Sequence, residues 1–140
     1  MKYWKLLALV ACLIPIQGCG PTASQVSGKI TFTDGAPLPF GRVTFTPKAG
    51  AAGFWAPLTA DGTFVVDVEM AAQPGDYSVT IVGADEPAFF ETDPVTGVNK
   101  ELEPPKPLID AKYGKSGTSP LNATIKPGKN QLSFQVDKLP

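Results

Sequence analysis

The sequence predicts an all-β fold, a single seven-stranded β-sandwich that follows an N-terminal signal peptide. Glycine and proline together account for 14 + 15 = 29 of the 140 residues, which is well above average usage and disfavours long helices. Seven short segments alternate apolar and polar residues, as half-buried strands do. Asp-Gly, Pro-Gly and similar turn pairs separate these segments at the close spacing that is typical of sandwich folds.

The first element, residues 1–18, reads as a signal peptide. Lys2 and Lys5 form a short basic region, and an apolar run of 11 residues, 6–16, follows it. A helix of that length spans about 16 Å, whereas the hydrocarbon core of a bilayer is roughly 30 Å thick. We therefore predict a cleaved export signal and not a transmembrane span.

The apolar run ends at Ile16-Gln17-Gly18-Cys19. This segment resembles the lipobox of bacterial lipoproteins, in which an aliphatic residue and a small residue precede the cysteine. The resemblance implies cleavage before Cys19, a thioether-linked diacylglycerol on its sulfur and N-acylation, for example by palmitate. Two or three acyl chains, at about 0.8 kcal/mol per buried CH₂, hold a protein stably at a membrane. The alternative is an ordinary secretory signal with a cysteine nearby.

Composition after cleavage narrows the function classes. Cys12 leaves with the signal, so the mature chain has one cysteine and no disulfide framework. Ten basic and 13 acidic residues remain, a net charge of −3, which argues against nucleic-acid binding. The sequence has no histidine, which excludes histidine-based triads, metal sites and pH switches. Gly20 is not the aspartate that marks inner-membrane retention in some bacteria, so the outer membrane is preferred.

The domain is predicted at residues 25–138, after a lipidated tether at 19–24. The first strand, residues 26–32, alternates apolar side chains with serine, lysine and threonine and ends before an Asp-Gly turn. The second, residues 42–46, directs its valine and phenylalanine inward. The third, residues 54–58, follows a turn of small residues.

The remaining strands follow the same logic. Residues 63–68 alternate after an Asp-Gly turn, and residues 76–82 follow Pro-Gly and place one tyrosine and two aliphatic residues on one face. Residues 83–118 lack an alternating pattern and are predicted as a long loop. The sixth and seventh strands, residues 121–125 and 132–136, flank a Lys-Pro-Gly-Lys turn.

Five segments of the chain combine strand residues with Asp-Gly, Pro-Gly and proline turns. They are Val26-Ser27-Gly28-Lys29-Ile30, Asp34-Gly35-Ala36-Pro37-Leu38-Pro39, Gly41-Arg42-Val43-Thr44-Phe45-Thr46-Pro47, Asp61-Gly62-Thr63-Phe64 and Pro74-Gly75-Asp76-Tyr77-Ser78-Val79-Thr80-Ile81. These segments resemble the motifs of carboxypeptidase regulatory-like domains. The resemblance implies a transthyretin-like (prealbumin-like) Greek-key sandwich, related in architecture to immunoglobulin-like domains, with no enzyme activity and no settled ligand.

Motifs near the C-terminus are similar to those of small lipoproteins that are abundant in planctomycete-type bacteria. Asp110 departs from that pattern, in which proline more often precedes the Ala-Lys-Tyr segment, and residues 84–108 are more divergent. The similar segments are Ala111-Lys112-Tyr113-Gly114, Thr118-Ser119-Pro120-Leu121 and Lys126-Pro127-Gly128-Lys129-Asn130.

Exposed aromatic residues are the candidates for partner binding. Phe89 and Phe90 are adjacent in an acidic loop, where we expect one to cover the sandwich and the other to form an interaction patch. Phe54 and Trp55 are adjacent in a strand and must point to opposite faces. One of the two belongs in the core and the other near a rim, where carbohydrate-binding modules use such rings.

The acidic residues, the proline-rich segment and the tyrosines are predicted to have structural roles. The acidic residues at 85–93 offer the oxygen ligands that calcium takes, but they lack the ordered spacing of a calcium loop, so a solvated loop is predicted. Residues 104–107 are expected to form a polyproline-like spacer. Tyr77 is predicted to lie in the core with its hydroxyl on a backbone partner, and Tyr113 to anchor the returning loop.

The function predicted from these observations is a membrane-anchored, non-catalytic accessory module of the cell envelope. It would bind an envelope protein or polymer, with Cys19 attached to lipid and with Phe89, Phe90 and Trp55 as candidate binding residues. No cofactor and no metal are predicted. The alternatives are a structural envelope protein without a discrete site and a carbohydrate- or calcium-binding lipoprotein.

Overall fold

A computed structural model describes residues 24–49, 52–66 and 72–140 of the chain. This part consists of strands and a single-turn 3-10 helix, Ala111–Gly114. No helix within the described residues is long and apolar enough to cross a membrane. The strands are β1 (Gln25–Phe32), β2 (Arg42–Pro47), β3 (Phe54–Pro57), β4 (Thr63–Val65), β5 (Gly75–Val82), β6 (Asp85–Glu86), β7 (Phe89–Thr92), β8 (Asn99–Glu103), β9 (Lys106–Pro107), β10 (Asn122–Ile125) and β11 (Lys129–Val136).

Seven strands form the two sheets of the sandwich. One sheet has the order β11-β1-β4 and the other the order β10-β5-β2-β3. The chain passes from one sheet to the other after β1, β3, β4 and β10, whereas β2 and β3 follow each other within one sheet. Repeated crossing between the sheets is typical of Greek-key sandwiches. These are the seven strands that the sequence predicts, and the all-β sandwich is confirmed.

The three-stranded sheet is built around β1. This strand pairs in parallel with β11, from Gln25 opposite Lys129 to Phe32 opposite Val136, and antiparallel with β4. Buried and more accessible residues alternate along β1, with Val26 and Ile30 among the buried ones. The alternation read from the sequence therefore directs the apolar face of β1 into the sandwich.

Aromatic rings fill the space between the two sheets. Phe45 of β2 stacks on Phe54 of β3 with ring centroids 4.7 Å apart, and it reaches across to Phe64 of β4 at 5.9 Å. Tyr77 of β5 meets Phe54 edge-on at 5.1 Å. Offset and edge-on pairs at these separations add to the stabilisation that comes from burying the rings.

Gly28 in the middle of β1 leaves room for this aromatic cluster. A Cβ atom at Gly28 would lie 2.7 Å from the ring of Phe64 and would also collide with the carbonyl oxygen of Leu132. The position requires glycine because the Phe64 ring and the neighbouring strand occupy the space of a side chain. The backbone itself is extended there and sets no such requirement.

Both tyrosine predictions are confirmed. The Tyr77 ring is buried in the core, and its hydroxyl donates to the carbonyl oxygen of Gln73 at 2.8 Å. Tyr113 lies in the 3-10 helix, which packs on β5, and its buried ring anchors the chain as it returns to the sandwich. Its hydroxyl donates to Asp137 Oδ2 at 2.9 Å.

The segment 83–118 differs from its prediction as a long loop. It contains β6, β7, β8, β9 and the 3-10 helix. β6 pairs with β9, and β7 pairs with β8, both antiparallel. Lys106 and Pro107, expected in a polyproline-like spacer, pair as β9 with Glu86 and Asp85. Alternation failed as a signal because a two-stranded ribbon with both faces in water has no apolar side.

Candidate interaction surface

A β-hairpin, which we call the arm (residues 83–108), projects from one end of the sandwich. It leaves β5 at Gly83, and it returns where the Leu108 N–H donates to the carbonyl oxygen of Ala84 at 2.9 Å. Ile109 then bridges to Lys138, just beyond the end of β11. The base of the arm is therefore at the end of the sandwich where β1 and β11 finish.

The N-terminal side of the domain is at the opposite end. Ser24 forms a bridge with Ala72, and the next residue, Gln25, pairs with Lys129 at the beginning of β11. The length of β1, eight residues, separates these contacts from the base of the arm, about 27 Å for an antiparallel strand rise of 3.4 Å. A tether that enters at Ser24 would thus hold the arm on the far side of the domain.

Register and a bulge define the side chains that share a face of the arm. Phe90 is opposite Glu101, Glu91 is opposite Lys100, and a register shift separates Phe89 from Phe90. The Thr92 hydroxyl donates to Asn99 Oδ1 at 2.8 Å across the strands. Directly opposite residues of an antiparallel pair lie on the same face, so Phe90 and Glu101 present an aromatic ring and a carboxylate together.

Phe89 and Phe90 both face solvent, each with 60% of its surface exposed. The expectation that one of them covers the sandwich is therefore wrong. β7 pairs only with β8 among the described strands, so the ribbon holds both rings away from the core. The arm also exposes Val95, Val98 and Leu102 by more than half. Five large apolar side chains exposed on one short hairpin make the arm a candidate interaction site.

The arm is strongly acidic. Residues 83–108 contain six acidic residues and two lysines, a net charge of −4. Glu103 forms an exposed ion pair with Lys106 at 3.1 Å, and Glu91 is opposite Lys100. Within the described residues Glu101 has neither an ion-pair nor a hydrogen-bond partner, which leaves its carboxylate free beside Phe90.

Asp93 shapes the tip of the arm. Its Oδ1 accepts hydrogen bonds from the N–H groups of Val95 at 2.7 Å and Thr96 at 3.1 Å. These bonds stabilise the carboxylate and lower the pKa of Asp93 below 3.8. Gly97 adopts a φ of 68° after this turn. The side-chain bonds and the left-handed glycine together close the hairpin.

Trp55 belongs to a different surface from Phe89 and Phe90. Phe54 is buried in the core, whereas Trp55 is 42% exposed on the outer face of β3. The Arg42 guanidinium lies over the indole, 5.6 Å from the ring centroid, which is cation–π geometry. The two residues border a shallow depression, which we call the Trp55 depression, lined by Gly41, Arg42, Trp55, Pro57, Val82 and Gly83.

Metal-ligating side chains are scattered over the residues that the structure describes. No group of three or more His, Cys, Asp or Glu side chains lies close enough to hold a metal ion there. The acidic residues of β6 and β7 are exposed and point into solvent, as a solvated segment requires. Cys19, predicted to carry lipid, lies outside the described residues.

Comparison with known proteins adds likenesses of fold. Neither protein-family models nor curated proteins match this sequence. The chain is similar to BcpA, the major pilin subunit of Bacillus cereus, with 11% identity and a TM-score of 0.45 over 85% of this chain and 31% of that chain. It is also similar to a candidate adhesin of Bacteroides ovatus, with 20% identity and a TM-score of 0.42 over 83% of this chain and 44% of that one.

The chain thus spans about a third of the pilin subunit and less than half of the adhesin. A 9R-lipoxygenase from Cyanothece shares 11% identity at a TM-score of 0.36, over 19% of its length. The β-sandwich assignment rests on the strand order and burial of this protein itself.

The prediction from the sequence did not include Val95, Val98 or Arg42 in the interaction surface. The exposed valines flank a Thr-Gly pair, a turn signal that could have indicated a hairpin tip. Arg42 could not be paired with Trp55 from the sequence, because their contact depends on β2 and β3 being neighbours in register.

Proposed function

We propose that the protein is an exported, lipid-anchored and non-catalytic module of the bacterial cell envelope that presents its arm to another protein. The observation that carries this proposal is that the N-terminal entry of the chain and the arm lie at opposite ends of the sandwich. The chain enters the sandwich at Ser24, and the arm with its exposed phenylalanines leaves from the opposite end. An anchor at Cys19 would direct the arm away from the membrane surface.

The anchor is supported by the sequence. Four residues, 20–23, separate Cys19 from Ser24, and they span at most about 14 Å when extended. A tether this short would hold the sandwich close to the lipid headgroups, and the arm would add reach on the far side. We also propose that the protein is related to the carboxypeptidase regulatory-like lipoproteins of planctomycete-type bacteria, whose motifs its sequence resembles.

The charge of the arm favours a protein over an envelope polymer or lipid as the partner. Anionic headgroups and anionic polymers would be repelled by a net charge of −4. A protein surface that combines an apolar cleft with a cation would match an exposed phenyl ring beside a free carboxylate.

Two experiments test the proposal. The mass of the N-terminal peptide from the membrane fraction should show Cys19 with two or three acyl chains, and Cys19→Ser should move the protein into the soluble fraction. An unmodified N-terminus elsewhere would remove the anchor. In cells, chemical cross-linking of the intact protein should give protein adducts that disappear when the arm is shortened.

The register gives a clean design for the shortened arm. Glu86 and Lys106 are directly opposite in β6 and β9, so residues 87–105 can be replaced by Asn-Gly, which closes two-residue hairpins. The sandwich and the base of the arm remain unchanged in this variant. If its cross-linked adducts matched those of the parent protein, the arm would not be the binding surface.

A further inference from the structure

We propose that the protein bound by the arm is a second copy of this chain. Phe90 and Glu101 of one copy would dock against Trp55 and Arg42 of the next, with the Phe90 ring in the Trp55 depression. This inference rests on the proposed function, which assigns the arm to protein binding. It adds the identity of the partner and of the receiving surface.

The receiving surface has the right chemistry. The Trp55 depression is a shallow feature that is open to solvent, with a volume of about 430 Å³, and a phenyl ring could lie against its surface. Its floor and walls are contributed by an indole, two glycines, a proline and a valine. An aromatic side chain that enters would leave water and pack against these groups.

The charges are complementary as well. Arg42 has no ion pair with a carboxylate of residues 24–49, 52–66 or 72–140. Glu101 is equally unpaired and lies opposite Phe90 on the same face of the arm. An arginine guanidinium donates two parallel hydrogen bonds to a carboxylate, a bidentate geometry that a lysine does not reproduce. A ring and a carboxylate on one surface thus match a depression and a guanidinium on the other.

Charge also selects between two ways of pairing copies. A symmetric contact between arms would bring two net charges of −4 together, and like charges at an interface are unfavourable. Outside the arm, residues 19–82 and 109–140 carry eight basic and seven acidic residues, a net charge of +1. The arm of one copy is therefore better matched to the sandwich of another than to a second arm.

Topology places the two surfaces where copies can meet. Arg42 pairs with Val82, and Gly83 begins the arm, so the depression lies beside the arm's own base. The arm extends away from that base and, in the described chain, β7 and β8 pair only with each other. A contact of this head-to-tail type leaves one free arm and one free depression, so it can propagate.

Disulfide cross-linking in cells tests the contact with the full chain and its native N-terminus. Two differently tagged copies are produced together, one carrying Thr92→Cys on the arm and the other Pro57→Cys at the depression. We expect a disulfide-linked product that carries both tags. The matched control replaces Pro57→Cys by Lys29→Cys, an exposed position on the other sheet, and should give little product.

Charge exchange then tests the named residues. Arg42→Glu in the receiving copy, or Glu101→Arg in the arm of the other copy, should lower the yield of the mixed product by about tenfold, because each creates a like-charge contact. Combining the two should restore the yield, whereas Lys29→Glu should leave it unchanged. Loss without restoration by the combination would overturn the assignment of this residue pair.

Other outcomes would overturn the inference in distinguishable ways. A product formed only between two Thr92→Cys copies would show an arm-to-arm contact. A disulfide within one chain carrying both cysteines would show that the arm folds onto its own depression. If no mixed product forms but the shortened arm still removes adducts with other proteins, the second copy is excluded while the proposed function stands. If neither is seen, both fail.

Discussion

Tyr113 and Asp137 are joined by two hydrogen bonds that run in opposite directions. The Tyr113 hydroxyl donates to Asp137 Oδ2 at 2.9 Å, and it accepts from the backbone N–H of Asp137 at 3.2 Å. The residues are 24 positions apart, one in the 3-10 helix that follows the arm and the other just after β11. The pair therefore fastens the return of the arm to the C-terminal edge of the sandwich.

Tyr113→Phe should lower the free energy of unfolding by about 1 kcal/mol, since it removes a donor to the carboxylate and an acceptor for the backbone N–H. The buried ring would keep its packing, so the loss isolates the hydroxyl. Denaturant unfolding of both proteins measures the difference. Lys112→Met is the matched control, because its exposed ion pair with Asp137, at 3.2 Å, should contribute little. Equal stability of Tyr113→Phe and the parent protein would contradict the role of the hydroxyl.

The same pair should make stability depend on acid. The hydrogen bond from Tyr113, which has the largest effect, and the hydrogen bond from Lys112 hold the pKa of Asp137 below 3.8. A depressed pKa in the folded state stabilises the fold fully above the unfolded value, and this contribution is lost as pH falls through the folded value. The free energy of unfolding should therefore decline more steeply below pH 3.8 in the parent protein than in Asp137→Asn.

Asp61→Asn, in an exposed turn, is the control for that comparison. Parallel pH profiles for the parent protein and Asp137→Asn would contradict the prediction.

At alkaline pH the dependence of stability on pH has the opposite sign. The hydrogen bond to Asp137 raises the pKa of Lys112 above 10.5, so its contribution is present below that value and is lost as pH rises through the higher folded value.

Gly28→Ala should destabilise the protein by about 1–3 kcal/mol, the usual cost of overpacking a core. The new methyl group would lie 2.7 Å from the Phe64 ring, so the ring or the strand must shift. Thermal or denaturant unfolding measures the loss. In Gly28→Ala combined with Phe64→Leu, the smaller side chain should relieve the collision with the ring but not the collision with the carbonyl oxygen of Leu132. The combined loss should therefore be somewhat less than the sum of the single losses. Strict additivity would contradict a contribution of the Phe64 ring to the collision.

The sequence predicted the sandwich and its seven strands because burial of one face imposes a period of two. In β1 and β5 the apolar residues recur at the positions that face the core. Sheet order was not predictable, since the parallel pairing of β1 with β11 joins segments that are about 100 residues apart. The family resemblance was consistent with the architecture, but it was weakest over residues 84–108.

The arm escaped prediction for a physical reason. Neither face of β7 or β8 is buried, so no solvent-to-core pattern exists for the sequence to display. Phe89 and Phe90 were identified as candidates because two adjacent rings in an acidic segment are unusual. Their common exposure depends on the hairpin, which holds them beyond the reach of the sandwich. The position of Glu101 opposite Phe90 depends on the register of β7 and β8, so it could not be predicted from the sequence either.

Asp93→Ala should loosen the tip of the arm without affecting the sandwich. The carboxylate accepts from the N–H groups of Val95 and Thr96, and both bonds would be lost. Amide hydrogen exchange at residues 95–97 should become faster, whereas exchange in β1 and β5 should not change. Asp93→Asn retains an acceptor oxygen and should exchange more slowly than Asp93→Ala. Unchanged protection of the tip in Asp93→Ala would contradict the role of this side chain.

Phe89→Ser combined with Phe90→Ser should leave the free energy of unfolding within about 0.5 kcal/mol of the parent protein, since exposed side chains without core contacts contribute little. The same variant should lose the arm-dependent cross-links in cells. Val65→Ser is the matched control, because Val65 is 71% exposed on β4, away from the arm. It should keep both stability and cross-links. A marked loss of stability in the double variant would mean that the rings pack on the sandwich. Retained cross-links would mean that binding does not depend on these two rings, because aromatic side chains contribute most of the binding energy where a docking surface uses them.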